Sequence, residues 1–374
     1  MIEKKYIDKS VDEIAENLSN PWVVELPIKN HYKKSELPAV PISSKYPLYL
    51  ATWILSKLLF FSKIQNEPKL KEVLKELNIS VDYKNICKTY YAQYRVMLFL
   101  GKWHQFKSAY VVCHYTNMGY IRALRKLDIP VIEVQHGLIS NSHCAYNIYT
   151  PTDLHCYPNY LLTLGEREAS IFENDNLFMH PENIFPVGHV YIDYISSTYA
   201  GDKKLKEIQT NYKKTVAVVS QKCPLEEQLI DFIRKASELD KSILYIFIPR
   251  FYTKEISEYA FPENVVFTEW LNVYQIIWHA DIHSTMYSTC ALEAPSIGVK
   301  NVLINIENKS KLFFEGILND ENITKYSDEP EQFLEMVNAT TPESKSNIIE
   351  KNASIILPNY KKNIKNFIEN IKHR

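Results

Sequence analysis

The chain has 374 residues, of which 46% are hydrophobic, and a formal net charge of -1. This length and charge balance predict a globular protein with two domains, and the lack of a basic excess argues against a nucleic-acid partner. The longest apolar run, 46–61, contains Pro47 and Lys57 and is too short to cross a bilayer, so we expect a buried or interfacial helix there. No signal peptide opens the chain and its six cysteines are scattered, which predicts a cytoplasmic protein.

The first part of the chain has the spacing of amphipathic helices. This spacing predicts a mainly helical segment over residues 1–105, with helices at 11–18, 46–61, 69–77 and 86–103. From residue 108 the pattern changes to strand, helix, strand, with a strand at 109–113, a helix at 119–127 and a buried strand within 130–137. Further elements are predicted at 160–164, 166–172 and 184–189, and a linker at 196–213.

A second alternating series follows the linker. It predicts strands at 215–219, 243–248, 265–268, 280–283 and 301–304, with helices at 273–278 and 288–297 among them. We therefore expect an α/β protein with two Rossmann-like domains facing each other across a cleft, the first spanning 1–200 and the second 201–355. The amphipathic helix expected within 356–374 either crosses back to the first domain or docks on an anionic membrane.

Glycine and aspartate spacing exclude several kinds of site. None of the eight glycines forms a G-x-G-x-x-G or a Walker A motif, which excludes the usual dinucleotide and P-loop fingerprints. No two aspartates are two residues apart, so the Asp-x-Asp pair of many metal-dependent sugar transferases is absent. We expect no cofactor and no metal, with any phosphate held by side chains and helix N-termini.

Three segments carry a resemblance to a known family. Residues 109–137, 186–193 and 281–304 resemble GT-B glycosyltransferases, especially the bacterial enzymes that make capsule, O-antigen or teichoic-acid-type polymers. The motifs are the Gln-His-Gly that ends the buried strand and the Ser-Thr-x-x-Leu-Glu-Ala at 288–294 with Gly298. The resemblance covers about half of the chain, 109–305, and implies a nucleotide-sugar donor and a glycan or lipid-linked acceptor.

His136 is the candidate catalytic residue. It ends a buried strand before Gly137, where an imidazole can take a proton from an acceptor hydroxyl at neutral pH. The resemblance to teichoic-acid glycerophosphotransferases, whose matching histidine is assigned as base, implies the same role. The alternative is a histidine that braces the loop through the backbone. Gln135 is expected to bond the loop or the substrate.

The donor site is expected in the second domain. A helix starting near Ser288 would offer its N–H groups to phosphate, and hydroxyls at that end would add to them. The resemblance implies that Glu293 accepts hydrogen bonds from ribose. Each of these residues also has a structural alternative. Ser288 would only cap the helix, Glu293 would be a solvated turn residue, and Arg250 would form a salt bridge on the surface. The residues assigned to this site are Gln221, Arg250, His283, Ser284, Ser288, Thr289 and Glu293.

Three further histidines are candidates for a site. His143 and His189 are assigned to the acceptor side, His143 in a loop and His189 near the domain junction. His143-Cys144 and His155-Cys156 could form a zinc site, but adjacent residues of an extended chain point in opposite directions, which disfavours it. The oligomeric state is left open.

The sequence therefore predicts a metal-independent glycosyltransferase that acts on a surface polysaccharide or lipid-linked glycan. Its expected place is the cytoplasm, with peripheral contact to the inner face of the membrane as a further hypothesis. The alternatives are a glycerol- or ribitol-phosphate transferase and a non-catalytic binding subunit of a polysaccharide assembly complex. A sugar-nucleotide epimerase has less support, because residues 1–20 lack the usual strand and glycine-rich loop.

Overall fold

The computed structural model describes residues 10–25, 42–59, 63–140, 143–172, 176–221, 225–250, 259 and 261–371. The chain divides into two compact units, unit 1 with residues 1–187 and 361–374 and unit 2 with residues 188–360. Every pairing among the described strands is parallel, which confirms the α/β class. The strands are β1 (Val23–Glu25), β2 (Ile42–Ser44), β3 (Ala109–Val111), β4 (Val131–Val134), β5 (Tyr160–Thr163), β6 (Ile184–Pro186), β7 (Lys214–Val219), β8 (Ile243–Ile248), β9 (Val265–Val266), β10 (Ile282–Thr285), β11 (Lys300–Ile304) and β12 (Thr324–Ser327).

Helices precede and follow these strands. In the described part of the chain they are α1 (Asp12–Glu16), α2 (Tyr46–Leu58), α3 (Glu67–Glu76), α4 (Tyr83–His104), α5 (Met118–Lys126), α6 (Arg167–Ile171), α7 (Val190–Thr198), α8 (Lys203–Gln209), α9 (Glu226–Leu239), α10 (Val273–His279), α11 (Cys290–Glu293), α12 (Lys309–Phe314), α13 (Pro330–Ala339), α14 (Lys345–Lys351) and α15 (Tyr360–Ile371). None of these helices has the length and hydropathy that a bilayer span requires.

The elements of unit 1 agree with most of the predicted ones. The helices expected in residues 1–105 are present as α1 to α4. Strands β1 and β2, which form a small parallel sheet, were not predicted, because strands of three residues are too short to show alternation. The main sheet has the order β3-β4-β5-β6, and its central strand β4 is buried along its whole length.

The last helix of the chain, α15, packs within unit 1. Its apolar side chains Ile364, Phe367 and Ile368 are buried. The ring of Phe367 lies 5.0 Å from that of Phe185 and 6.5 Å from that of Tyr160, between centroids. Because this apolar face is covered, the hypothesis that α15 docks on a membrane is wrong.

Unit 2 contains a parallel sheet with the order β12-β11-β10-β7-β8-β9. The chain leaves β7 towards β8 on one side and later returns to β10 on the other side. The loops that follow β7 and β10 therefore diverge, and such a point is where open α/β sheets bind ligands.

The predicted linker 196–213 and the predicted boundary near residue 200 differ from the structure. Residues 203–209 form α8, capped by Asp202, whose carboxylate accepts from the N–H of Leu205 at 2.8 Å. The division lies at Gly188, because α7 packs against α10 and the turn Pro295–Ile297 in unit 2. A polar, lysine-rich run was mistaken for a linker, although its caps and spacing suit a surface helix.

Candidate active site

The carboxyl ends of β3 and β4 bring a thiol and an imidazole together in unit 1. Cys113 follows β3 and His136 follows β4, and these strands are parallel neighbours. The Sγ atom of Cys113 lies 3.2 Å from Nε2 and 3.7 Å from Nδ1 of His136. The His136 side chain is exposed, so this edge of the sheet presents an imidazole that has a thiol partner.

Cys113 has an unusual backbone conformation. Its φ of 59° is in the left-handed region, which costs a residue with a side chain about 1 kcal/mol. The chain passes from Cys113 into the turn His114–Thr116. The pKa of Tyr115 is raised to about 12, first by a hydrogen bond with the Cys113 side chain and then by burial. Cys113 was not predicted as a site residue, although its position after the strand that precedes β4 was a usable signal.

Gln135 and Gly137 flank the candidate base in different ways. The side chain of Gln135 is buried, donates to the carbonyl of Gly137 at 2.9 Å and accepts from the N–H of Leu164 at 2.7 Å. Gln135 therefore braces the loop. Gly137 follows His136 and does not have a left-handed φ. A Cβ added there would meet no atom of the described residues within 4 Å, so the glycine leaves space next to His136.

A buried polar network lies below this edge. Nδ1 of His114 lies 2.6 Å from Oε2 of Glu133, and the hydroxyl of Tyr146 donates to Oε1 of Glu133 at 2.7 Å. Nε2 of His114 lies 3.0 Å from the carbonyl oxygen of Ala145, which can only accept, so this nitrogen carries a proton. Both side chains are almost completely buried, so this contact is an enclosed polar pair. A carboxylate within an apolar strand was the signal that the sequence analysis left unused.

His143 lies in the same region of unit 1. Its ring is 4.9 Å from the ring of Tyr146 and 6.3 Å from that of Tyr115, between centroids. His155 is exposed and contacts Asp153 at 3.0 Å. In the described part of the chain, no group of three or more His, Cys, Asp or Glu side chains is arranged to hold a metal ion.

In unit 2 three strand ends meet at one edge. Val219 of β7 pairs with Thr285 of β10 on one side and with the end of β8 on the other. The side chain of Gln221 donates to the carbonyl of Tyr287 at 3.3 Å and so bridges the loops after β7 and β10. Arg250 follows β8 and is exposed. These residues lie at the point where the loops diverge.

His283 and Ser284 lie in the interior instead of at this edge. Nδ1 of His283 donates to Oδ1 of Asn301 at 2.8 Å, and burial lowers the pKa of His283 to about 4. The hydroxyl of Ser284 is buried and has no hydrogen-bond partner among the described residues. Both side chains are completely enclosed, so the assignment of these two residues to donor contacts is not met in this structure.

The helix expected over 288–297 is much shorter. Only Cys290–Glu293 is α-helical, and the turn Pro295–Ile297 follows it and ends at Gly298, whose φ is 84°. Pro295 lacks the N–H that would continue the helical pattern. A helix of four residues offers little dipole to a phosphate, so any phosphate contact here depends on side chains and loop N–H groups.

The three polar residues of this segment have different surroundings. Thr289 is exposed, whereas Ser288 is buried and accepts from the N–H of Cys290 at 3.4 Å. Glu293 is buried and accepts from the hydroxyl of Tyr274 at 3.1 Å. Burial, followed by the charge of Glu293, raises the pKa of Tyr274. Glu293 is thus not a solvated turn residue.

His189 belongs to unit 2, which corrects its assignment to the acceptor side. It caps α7, where its Nδ1 accepts from the N–H of Ile192 at 3.3 Å. Its ring centroid lies 6.1 Å from that of Tyr274, the residue that donates to Glu293. The correction follows from the unit boundary at Gly188.

No protein-family model and no curated protein matches the sequence. The UDP-GlcNAc 2-epimerase of Methanocaldococcus jannaschii matches with a TM-score of 0.53 and 12% identity, over 81% of this chain and 89% of that chain. A structure of S. aureus MnaA with UDP matches with a TM-score of 0.53 and 11% identity, over 97% of this chain and 92% of that chain. CalG4, the calicheamicin glycosyltransferase, matches with a TM-score of 0.52 and 11% identity, over 90% of this chain and 86% of that chain. The chain therefore has the GT-B fold that these proteins share.

Proposed function

We propose that the protein is a glycosyltransferase that moves a sugar from a nucleotide-sugar donor to a hydroxyl of a surface polysaccharide or lipid-linked glycan. The observation that carries this proposal is the edge of the unit 2 sheet at the β7–β10 switch point. Gln221, exposed Arg250 and the loop 286–289 lie there together. Ligands of open α/β sheets bind at such points, and the GT-B fold agrees with a nucleotide-sugar ligand.

The donor would be held mainly by Arg250 and Thr289. An exposed guanidinium can form two parallel hydrogen bonds with a diphosphate, and the exposed hydroxyl can add a third. Glu293, with Tyr274 as its hydrogen-bond donor, is the group proposed for the ribose hydroxyls. Positive charge from Arg250 would meet the negative charge that develops on the leaving phosphate, so no metal is invoked.

His136 is proposed as the base on the acceptor side. The acceptor oxygen attacks the anomeric carbon, the bond from that carbon to the phosphate oxygen breaks, and the nucleotide leaves with the bonding electrons. The proton of the acceptor hydroxyl passes to a ring nitrogen of His136. Cys113, 3.2 Å from Nε2, would orient the ring, and the open space beside Gly137 would admit the acceptor.

A sugar-nucleotide epimerase is the second candidate, because UDP-GlcNAc 2-epimerases are among the solved structures with this fold. An epimerase converts the nucleotide sugar without any acceptor, whereas a transferase releases nucleotide only when an acceptor is present. Product analysis with and without acceptor therefore separates these two. Two further alternatives predict other products. A glycerol- or ribitol-phosphate transferase would release a nucleoside monophosphate, whereas a non-catalytic binding subunit would release no product.

Nucleotide binding tests the donor half of the proposal. We expect UDP, GDP, CMP or CDP, or one of their sugars, to raise the melting temperature of the protein. Arg250→Ala should weaken that affinity about 10- to 100-fold, since a hydrogen bond to a charged group contributes about 1.5–3 kcal/mol. Arg234→Ala, on the surface of α9, is the matched control. If no nucleotide binds, or if the two variants bind equally, the donor site is wrong.

Turnover tests the acceptor half. His136→Ala should retain donor affinity and lower turnover about 10²- to 10⁴-fold, the usual contribution of a general base. His180→Ala, an exposed histidine of unit 1, should have no effect. Unchanged turnover in His136→Ala would remove the base assignment while leaving nucleotide binding intact. Wild-type activity in EDTA tests the metal-independent chemistry.

A further inference from the structure

Helix α2 presents its apolar side chains to solvent and its polar ones to the interior. Its buried residues are Thr52 and Ser56. Trp53 is 58% exposed and Leu58 is 65% exposed. The exposed large apolar residues recur at helical spacing along one face, which we call the α2 outer face: Tyr46, Tyr49, Leu50, Trp53, Ile54 and Leu58. A surface helix normally has the reverse arrangement, so this face is a candidate for contact with an apolar partner.

Buried polar contacts hold α2 in this orientation. The hydroxyl of Thr52 bonds that of Tyr120 in α5 at 2.9 Å, and both groups are buried. At the start of the helix, Nζ of Lys45 donates to Oδ1 of Asn117 at 3.4 Å. Rotating α2 to bury its apolar face would break the Thr52–Tyr120 bond and leave a buried hydroxyl unpaired, which costs about 1–3 kcal/mol.

The neighbouring helix α4 has a related exposed stripe. Tyr91, Phe99 and Trp103 are exposed, and Trp103 is 75% exposed. Arg95 and Lys102 are exposed as well, and the guanidinium of Arg95 lies 6.0 Å from the ring centroid of Tyr91. Alternating aromatic and basic side chains of this kind suit the boundary between an apolar phase and water.

The region that contains α2 to α4 has an excess of positive charge. Residues 42–107 contain eleven lysines or arginines and four aspartates or glutamates, a formal net charge of +7. The whole chain, in contrast, has a net charge of -1. A local excess of this size attracts an anionic surface, at about 1 kcal/mol for each basic residue near an acidic membrane.

We propose that the α2 outer face and the exposed stripe of α4 dock the protein on the surface of an anionic lipid bilayer. Aromatic and aliphatic side chains would enter the headgroup boundary, and the lysines would contact acidic headgroups. A second copy of the chain is a poorer occupant, because it would place two surfaces of net positive charge together. Nucleic acid is poorer too, since Leu50, Ile54 and Leu58 offer nothing to a phosphate backbone. The proposal does not depend on catalysis.

Vesicle sedimentation tests this proposal. The wild-type protein should bind equimolar phosphatidylglycerol and phosphatidylcholine vesicles, bind pure phosphatidylcholine much more weakly, and lose affinity as salt is raised. Trp53→Glu combined with Leu58→Glu should reduce binding at least about tenfold, because two apolar groups are lost and two negative charges are added. Lys57→Gln alone should reduce it about fivefold.

Leu239→Glu combined with Leu312→Glu is the matched control, since both leucines are exposed in unit 2. This control should bind vesicles as the wild type does. If the α2 variant loses melting temperature, Phe99→Ser combined with Trp103→Ser tests the same surface from α4. Equal binding of the α2, α4 and control variants would overturn the proposal. Two other results would also overturn it. One is a dimer, seen in sedimentation velocity, that is lost in the α2 variant. The other is binding to nucleic acid that nuclease abolishes and that the α2 substitutions also remove.

Discussion

The exposed imidazole of His136 rests on buried polar contacts made by its neighbours in the chain. Gln135 braces the loop through Gly137 and Leu164, and Glu133 anchors β4 through His114 and Tyr146. The pattern of residues 130–137 predicted the strand and the exposed histidine at its end. It could not predict that Cys113 lies against His136, because that contact depends on the pairing of β3 with β4.

Two buried histidines of unit 2 make its stability depend on pH. Nε2 of His279 accepts from the N–H of Asp202 at 2.8 Å, so this nitrogen carries no proton. Burial, and then the charge of Lys206, lowers the pKa of His279 to about 4. His283 has a similarly lowered pKa, through burial. Below pH 6.5, the ordinary histidine value, the unfolded chain binds protons that the folded chain does not.

The free energy of unfolding of unit 2 should therefore decrease as pH falls from about 6.5 towards 4. His279→Gln keeps an oxygen that can accept from Asp202 but removes the titrating group. Between pH 7.5 and pH 5, the free energy of unfolding should decrease by about 2 kcal/mol less in the variant than in the wild type. Urea unfolding at both pH values measures this difference. Identical pH dependence in the two proteins would mean that His279 titrates normally in the folded state.

At the scale of elements, the helix at 288–297 shows the limits of local pattern. The spacing predicted one helix, but Pro295 and left-handed Gly298 reduce it to four α-helical residues and a 3-10 turn. For α2 the opposite holds, since the helix was predicted as buried or interfacial and the sequence left these two alternatives open. Its outward apolar face depends on the bond between Thr52 and Tyr120, residues 68 positions apart.

Gly188 gives an element-scale prediction, because it joins β6 to α7 with a φ of 94°. A Cβ at this position would lie 2.1 Å from the carbonyl oxygen of Leu357, which is backbone and cannot move aside alone. Gly188→Ala should destabilise unit 2 by about 2 kcal/mol or more, through the strained φ and this clash. Chemical denaturation measures the loss.

Gly316→Ala is the control for this substitution. Gly316 has no left-handed φ, and an added Cβ would meet nothing within 4 Å. We expect a change of at most about 0.5 kcal/mol, as for most surface substitutions. Equal effects in the two variants would show that the turn at Gly188 accepts a side chain.

At the scale of the whole molecule, the two ends of unit 1 are far apart in sequence. Helix α15 returns after the whole of unit 2 and buries Phe367 against Phe185 and Tyr160. Unit 1 thus depends on residues that follow unit 2 in the chain. The amphipathic pattern of 360–372 indicated a helix with a face to bury, and both hypotheses for that face were compatible with the sequence.

Phe367→Ala should destabilise unit 1 by about 3–5 kcal/mol, the usual cost of truncating a buried phenylalanine. Hydrogen exchange should show faster exchange in β5 and β6 and unchanged protection in β7 and β10. Lys365→Ala, on the exposed face of the same helix, should leave exchange unaltered. A uniform loss of protection in both units would contradict an effect confined to unit 1.

Sequence pattern was enough to predict the α/β class, most of the helices and strands, and the GT-B fold. These features follow from local periodicity and from turn residues, which act over a few positions. Three-dimensional packing was needed to show that Cys113 contacts His136, that His283 and Ser284 are enclosed, and that His189 belongs to unit 2. Packing also settles the orientation of α2, whose apolar face is exposed. Each of these depends on contacts between residues distant in the chain, and strand pairing and packing determine such contacts.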